Sequence, residues 1–130
     1  MKIHGLIAFL LLPVIAAASP LTGCYSTDIT GLEGGFALQP AANGDFTLDA
    51  GRGKDLVSLP MKTATAAELR LVSENFHLAL SEGVSMKWPP GTPNQRPVGV
   101  YRGRDGSGKD VVMGYFFFGA GVLVKKGCPP

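Results

Sequence analysis

Apolar and less apolar residues alternate with a period of two along most of the chain beyond residue 35. Phe36-Ala37-Leu38-Gln39 and Phe46-Thr47-Leu48-Asp49 both keep this rhythm, and Asn43-Gly44-Asp45 lies between them. Successive strand side chains point to opposite faces, so Phe36, Leu38, Phe46 and Leu48 share a buried face. Asn-Gly supplies the positive φ that a tight turn needs, which makes the pair a hairpin. Residues 55–59 read as a short strand that Pro60 stops, because proline cannot donate to a ladder.

Two periods compete in the next stretch. Thr65-Ala66-Ala67-Glu68 has capping-box form, with a hydroxyl at a helix start and a Glu three residues later. Leu69, Val72, Phe76 and Ala79 continue at helical spacing. Leu69/Leu71 and Phe76/Leu78/Leu80 also alternate as strands around Ser73-Glu74-Asn75. The expectation is a short helix over 65–73 and a strand over 76–80. A Ser81-Glu82-Gly83 turn then leads into Val84 to Trp88.

The last third has the clearest sheet pattern. Val98 to Arg102 is a strand, Gly103 to Gly108 a turn, and Lys109 to Phe118 a long strand carrying Tyr115-Phe116-Phe117-Phe118. The aromatic run implies burial on both faces, or one face set against a neighbouring strand or an apolar ligand. Gly119-Ala120-Gly121 reads as a further turn before Val122-Leu123-Val124-Lys125-Lys126, whose lysines suit a protected edge strand. The expected fold is mainly β: a small antiparallel meander, sandwich or partly open barrel with one short helix. Its domain spans residues 36–130.

Between two of these strands, Trp88-Pro89-Pro90-Gly91-Thr92-Pro93-Asn94-Gln95-Arg96-Pro97 breaks regular structure for longest. Its prolines fix φ and favour extended backbone. An ordered surface connection is the plain reading. The sharper reading is a stiffened binding loop with Trp88 as anchor and Pro89, Pro90 and Arg96 around it, since rigid aromatic anchors lose little entropy on binding.

Charge and chemistry narrow the function classes. Twelve Lys and Arg against ten Asp and Glu give a net charge of +2, too balanced for a nucleic-acid partner, which needs a basic patch or stripe. His77 is the only histidine beyond residue 4, and no carboxylate or thiol cluster keeps metal-ligand spacing with it. Gly51-Arg52-Gly53-Lys54 lacks both the glycine spacing and the following hydroxyl of a phosphate loop. Asp105 to Asp110 lacks the oxygen ligands and terminal Glu of a calcium loop. No Gly-x-Ser-x-Gly elbow or Ser-x-x-Lys dyad is present. The residues therefore name no catalytic group, cofactor or metal, and point to a non-enzymatic binding or structural module.

The front of the chain carries the strongest signal. Lys2 and His4 precede an almost unbroken apolar run, Leu6 to Ala18. As a helix it would rise about 20 Å, short of the roughly 30 Å hydrocarbon core of a bilayer. It reads as an export signal rather than a membrane span. Ala16-Ala17-Ala18 fits a small-x-small cut before Ser19. Leu21-Thr22-Gly23-Cys24, in contrast, resembles the lipobox of bacterial lipoproteins: an aliphatic residue, two small residues and an obligatory Cys.

That resemblance covers the targeting segment alone. It implies an export signal over 1–23, cleavage before Cys24, and diacylglycerol on its thiol with an acyl chain such as palmitate on its amine. Residues 24–35 would then be a lipid-anchored tether. Each buried methylene contributes about 0.8 kcal/mol, so two or three chains give a durable anchor. The residue after Cys24 is Tyr25 and not Asp, which by analogy with enteric lipoproteins leans to the outer membrane, facing the periplasm, with an envelope protein as partner.

The alternative is a secreted soluble protein, an effector or inhibitor. The chain has two cysteines, Cys24 and Cys128. A thioether would consume the first and leave the second as an odd thiol. Without it, a Cys24–Cys128 disulfide would close a loop of about a hundred residues and contribute about 4 to 5 kcal/mol in the chain-entropy model.

Overall fold

A computed structural model of the chain describes residues 21–29, 32, 34–51, 54, 56–88, 91–116 and 119–128. The expected export signal, apart from Leu21, Thr22 and Gly23, lies outside the described residues. So do Pro89, Pro90, Phe117, Phe118 and the middle of the Gly51–Lys54 turn. Eight antiparallel strands form a closed barrel in sequential order. They are β1 (Gly23–Thr27), β2 (Phe36–Pro40), β3 (Phe46–Ala50), β4 (Val57–Thr63), β5 (Ala79–Trp88), β6 (Arg96–Arg104), β7 (Asp110–Phe116) and β8 (Gly119–Lys126). Among the described residues one α-helix, α1 (Ala66–Phe76), connects β4 to β5.

The alternation read in the sequence sets the inside of the barrel. Phe36, Leu38, Leu48, Met61, Val84, Val98, Val100, Phe116 and Leu123 point inward and are buried, joined by Leu21, Tyr25, Ile29 and Leu32. Fully burying each such side chain contributes about 1.5 to 3 kcal/mol. Eight strands give an interior just wide enough for side chains to fill. Tyr25 stacks near Phe36, and Phe36 meets Phe116 edge-on. The β2–β3 hairpin forms as expected, with Asn43 at φ 61° and Gly44 at φ 78° in a short 3-10 turn.

A second, smaller core lies outside the barrel. Val72 of α1 is fully buried, with Leu69 and Phe76 packed beside it against Tyr101, Met113 and Tyr115 on the outer face of β6 and β7. Phe76 and Tyr115 meet edge-to-face with centroids 5.3 Å apart. Phe116 is thus buried on one face of the strand and Tyr115 half-buried on the other, the first of the two arrangements the aromatic run allowed. On β5, a Cβ at Gly83 would collide with the Tyr101 ring, so only glycine lets that ring lie flat on the sheet.

Several expected boundaries are corrected. Within the expected tether, Cys24–Thr27 is not free chain: it belongs to β1, which pairs with β2 on one side and β8 on the other, and Cys24 and Tyr25 are buried. The helix runs on to Phe76 and ends where His77 takes a left-handed conformation, its N–H bonding to the Ser73 carbonyl. No turn occurs at Ser81–Gly83; β5 passes through it with a bulge between Leu80 and Glu82. Gly119–Gly121 belong to β8, because Phe116 already pairs with Gly119. Lys125 and Lys126 are on no edge, since closure pairs β8 with β1. Pro60 does not stop β4, which continues to Thr63.

Candidate binding cleft

The binding loop expected from the sequence is described only in part. Trp88 ends β5 and pairs in register with Arg96, which opens β6 and is exposed. The Trp88 side chain, Pro89 and Pro90 lie outside the description. The more informative feature lies beside this loop, where β4, β5 and the first turn of α1 meet.

Thr65 caps α1: its hydroxyl accepts from the Glu68 N–H at 3.1 Å. The expected capping box is half made. The Glu68 side chain, instead of returning to the cap, accepts a 2.5 Å hydrogen bond from the Ser85 hydroxyl of β5. Lys87 Nζ lies 3.8 Å from the other carboxylate oxygen. Ser85 is a buried polar residue, 6% exposed, and the Glu68 side chain is 11% exposed against 51% for Lys87. The charge-assisted bond to Ser85 is therefore the stronger contact, and the ion pair, half in water, is weak. Together they dock the helix start onto the barrel.

Tyr101 sits beneath this contact, fully buried, and among the described residues its hydroxyl has no hydrogen-bond partner. Burial pushes its pKa far above the usual phenol value. The nearby Glu68 carboxylate adds to that. The phenol stays neutral, and Ser85 directs its proton to Glu68 instead. Among the described residues no three His, Cys, Asp or Glu side chains gather where they could hold a metal.

The cleft is a cavity of about 470 Å³ lined by Pro60, Lys62, Glu68, Met86, Lys87 and Gln95, among others. Its floor reaches Met86, an inward-facing residue that packs against the barrel core. Its rim carries two lysines. Sequence reasoning identified Glu68 only as a cap residue and passed over Lys62, Ser85 and Lys87. Their meeting depends on a strand–helix–strand path that local periodicity does not encode.

At the opposite seam, Cys24 and Cys128 are joined in a disulfide across 104 residues of sequence. Next to it, the buried Tyr25 hydroxyl donates to the Leu21 carbonyl at 2.6 Å, and the Leu21 side chain is 1% exposed. Burial raises the Tyr25 pKa. Arg102 lowers it and Glu82 raises it by smaller amounts. Arg102 Nη1 meets Glu82 Oε2 at 2.7 Å. No family model, curated protein or solved structure matches the chain.

Proposed function

We propose that this chain is an exported, non-enzymatic binding module: a disulfide-closed barrel that acts through its outer surface. The observation that carries the reading is Leu21. It stands three residues before Cys24, yet its side chain belongs to the barrel core and its carbonyl holds the buried Tyr25 hydroxyl. A cut before Cys24 would remove both. A cut before Ser19 would keep both and leave the Cys24 sulfur for Cys128. Disulfides persist in oxidising compartments, which agrees with secretion.

The surface reading follows from packing. The barrel interior is occupied by its own aromatic and aliphatic side chains, so recognition falls to the outside, as in other filled small barrels. In this reading the Ser85–Glu68 pair docks a helix and does not activate a nucleophile, because Ser85 is buried.

The second reading is the lipid-anchored envelope protein, with the mature chain starting at Cys24 and membrane attachment through its lipid, at the outer membrane facing the periplasm. The order Leu21-Thr22-Gly23-Cys24 directly after the apolar run favours it. The two fates of Cys24 exclude one another, since one sulfur cannot be both thioether and disulfide. Intact mass of the protein from membrane and medium fractions decides between them. An unacylated chain that starts upstream of Leu21, found in the medium and two mass units heavier after reduction, supports secretion. A membrane-bound chain starting at Cys24 with diacylglyceryl mass overturns it.

A further inference from the structure

Pro60 sits inside a barrel strand, and its position on the ladder has a consequence for the cleft. The register aligns Lys62 with Ser85 and Thr63 with Val84. The Ala64 N–H bonds to the Gly83 carbonyl at 2.9 Å. In an antiparallel ladder, bonded pairs recur every second residue. Ala64/Gly83 and Lys62/Ser85 are therefore bonded positions, and the next is Pro60 opposite Lys87. Proline has no N–H, so the Lys87 carbonyl receives no bond from β4. Among the described residues the β4–β5 register ends at Lys62, whereas β3–β4 runs through Pro60 from Val57 to Met61. The proline is tolerated because its bonding side faces the seam and not β3.

The cavity lies at this interruption. It therefore presents a strand carbonyl to which β4 offers no main-chain donor, apolar contacts from Pro60 and Met86, and two lysines at the rim. Glu68 is already engaged by Ser85 and Lys87, and Lys62 makes no ion pair among the described residues. We propose that the β4–β5 seam is a docking site for an extended, proline-free peptide segment of a partner protein that carries Asp or Glu. The backbone adds to the β5 edge at Lys87 and an acidic side chain meets Lys62. Strand addition of this kind draws affinity from main-chain bonds and specificity from alternate side chains. The cavity volume falls within the range of ordinary ligand sites. The inference rests on the binding-module reading and names its surface.

The test uses the full mature chain with its disulfide intact and a random displayed heptapeptide library as probe. The expected result is enrichment of acidic, β-branched, proline-poor peptides. Lys62→Glu should weaken the best synthetic binder roughly tenfold, as reversal of a rim charge against an acidic partner requires. Pro60→Thr, which restores the missing donor, should weaken it as well, and bound peptide should shift the amide resonances of Ser85 and Lys87. If Pro60→Thr fails to fold, Lys62→Glu alone decides. Absence of enrichment, enriched peptides without acidic residues, or binding that ignores both variants overturns the proposal. Self-association of the chain at this seam overturns it too. The mass measurement reads export and the disulfide independently, so failure here alone leaves an exported barrel that binds elsewhere.

Discussion

The barrel closes through two seams of opposite character. At β1–β8, four residue pairs are in register from Cys24/Lys126 to Thr27/Leu123. Ser26 and Thr27 hydroxyls donate to the Val124 and Val122 carbonyls at 3.5 and 3.4 Å, and the disulfide locks the end. At β4–β5, two pairs are in register, a proline interrupts the ladder, and the closure depends on α1 gripping β5 through Glu68 and Ser85. Strand pairing alone closes neither seam firmly. One is reinforced covalently and the other by a helix whose polar grip leaves a cleft. A binding surface fits the second, because a seam with two register pairs and one side-chain grip can yield locally without opening the barrel.

The largest expected effect comes from cutting the covalent seam. Replacing both cysteines, Cys24→Ser with Cys128→Ser, should lower unfolding free energy by about 4 to 5 kcal/mol in chemical denaturation, from the entropy of the released loop. Next is the plug beside it. Leu21→Ala should cost about 2 to 5 kcal/mol, as for other buried Leu truncations. A free tether would show almost no change.

The helix-gripped seam should respond more mildly. Ser85→Ala leaves Glu68 without its strongest partner and should cost about 1 to 3 kcal/mol. A double-mutant cycle with Glu68→Gln should show coupling between the two, while Lys87→Met should barely change stability. If the cycle returns no coupling, the helix is held by Val72 and its apolar neighbours alone.

The smallest effect lies in the β6–β7 turn. The Ser107 hydroxyl, then the Lys109 and Ser107 backbone N–H groups, hold the Asp105 carboxyl below its ordinary pKa. The folded value is the depressed one. Its contribution is therefore present above the unfolded pKa and lost as pH falls below about 4 toward the folded value. Asp105→Asn should flatten that acid limb in a series of denaturation midpoints against pH, and leave neutral-pH behaviour of both seams unchanged.

The sequence made much of the barrel legible, and the reasons for its silences are physical. Period-two alternation identified Phe36, Leu38 and Leu48 as core, and burial on both faces, one of the two readings of the aromatic run, is the one Phe116 and Tyr115 follow. Closure could not be read, because pairing of β1 with β8 joins residues about a hundred positions apart. Lys125 and Lys126 therefore looked like edge residues. β1 looked like a tether because Ser26, Thr27 and Asp28 are polar and only Tyr25 turns inward. Pro60 looked like a terminator because its effect depends on which neighbour its nitrogen faces, and a linear pattern does not carry that. The cleft was hidden for the same reason: Lys62, Glu68 and Lys87 are separate surface charges until β4, α1 and β5 converge.

Native-state hydrogen exchange, read on the mature protein with its disulfide intact and after reduction, tests the two-seam account most directly. With the disulfide in place, amides of the β1–β8 ladder should open only with global unfolding. Ala64 and its β4–β5 neighbours should exchange through a lower-energy local opening. Reduction should reverse or erase that order by loosening β1–β8 alone. Equal protection at both seams, unchanged by reduction, would contradict the account.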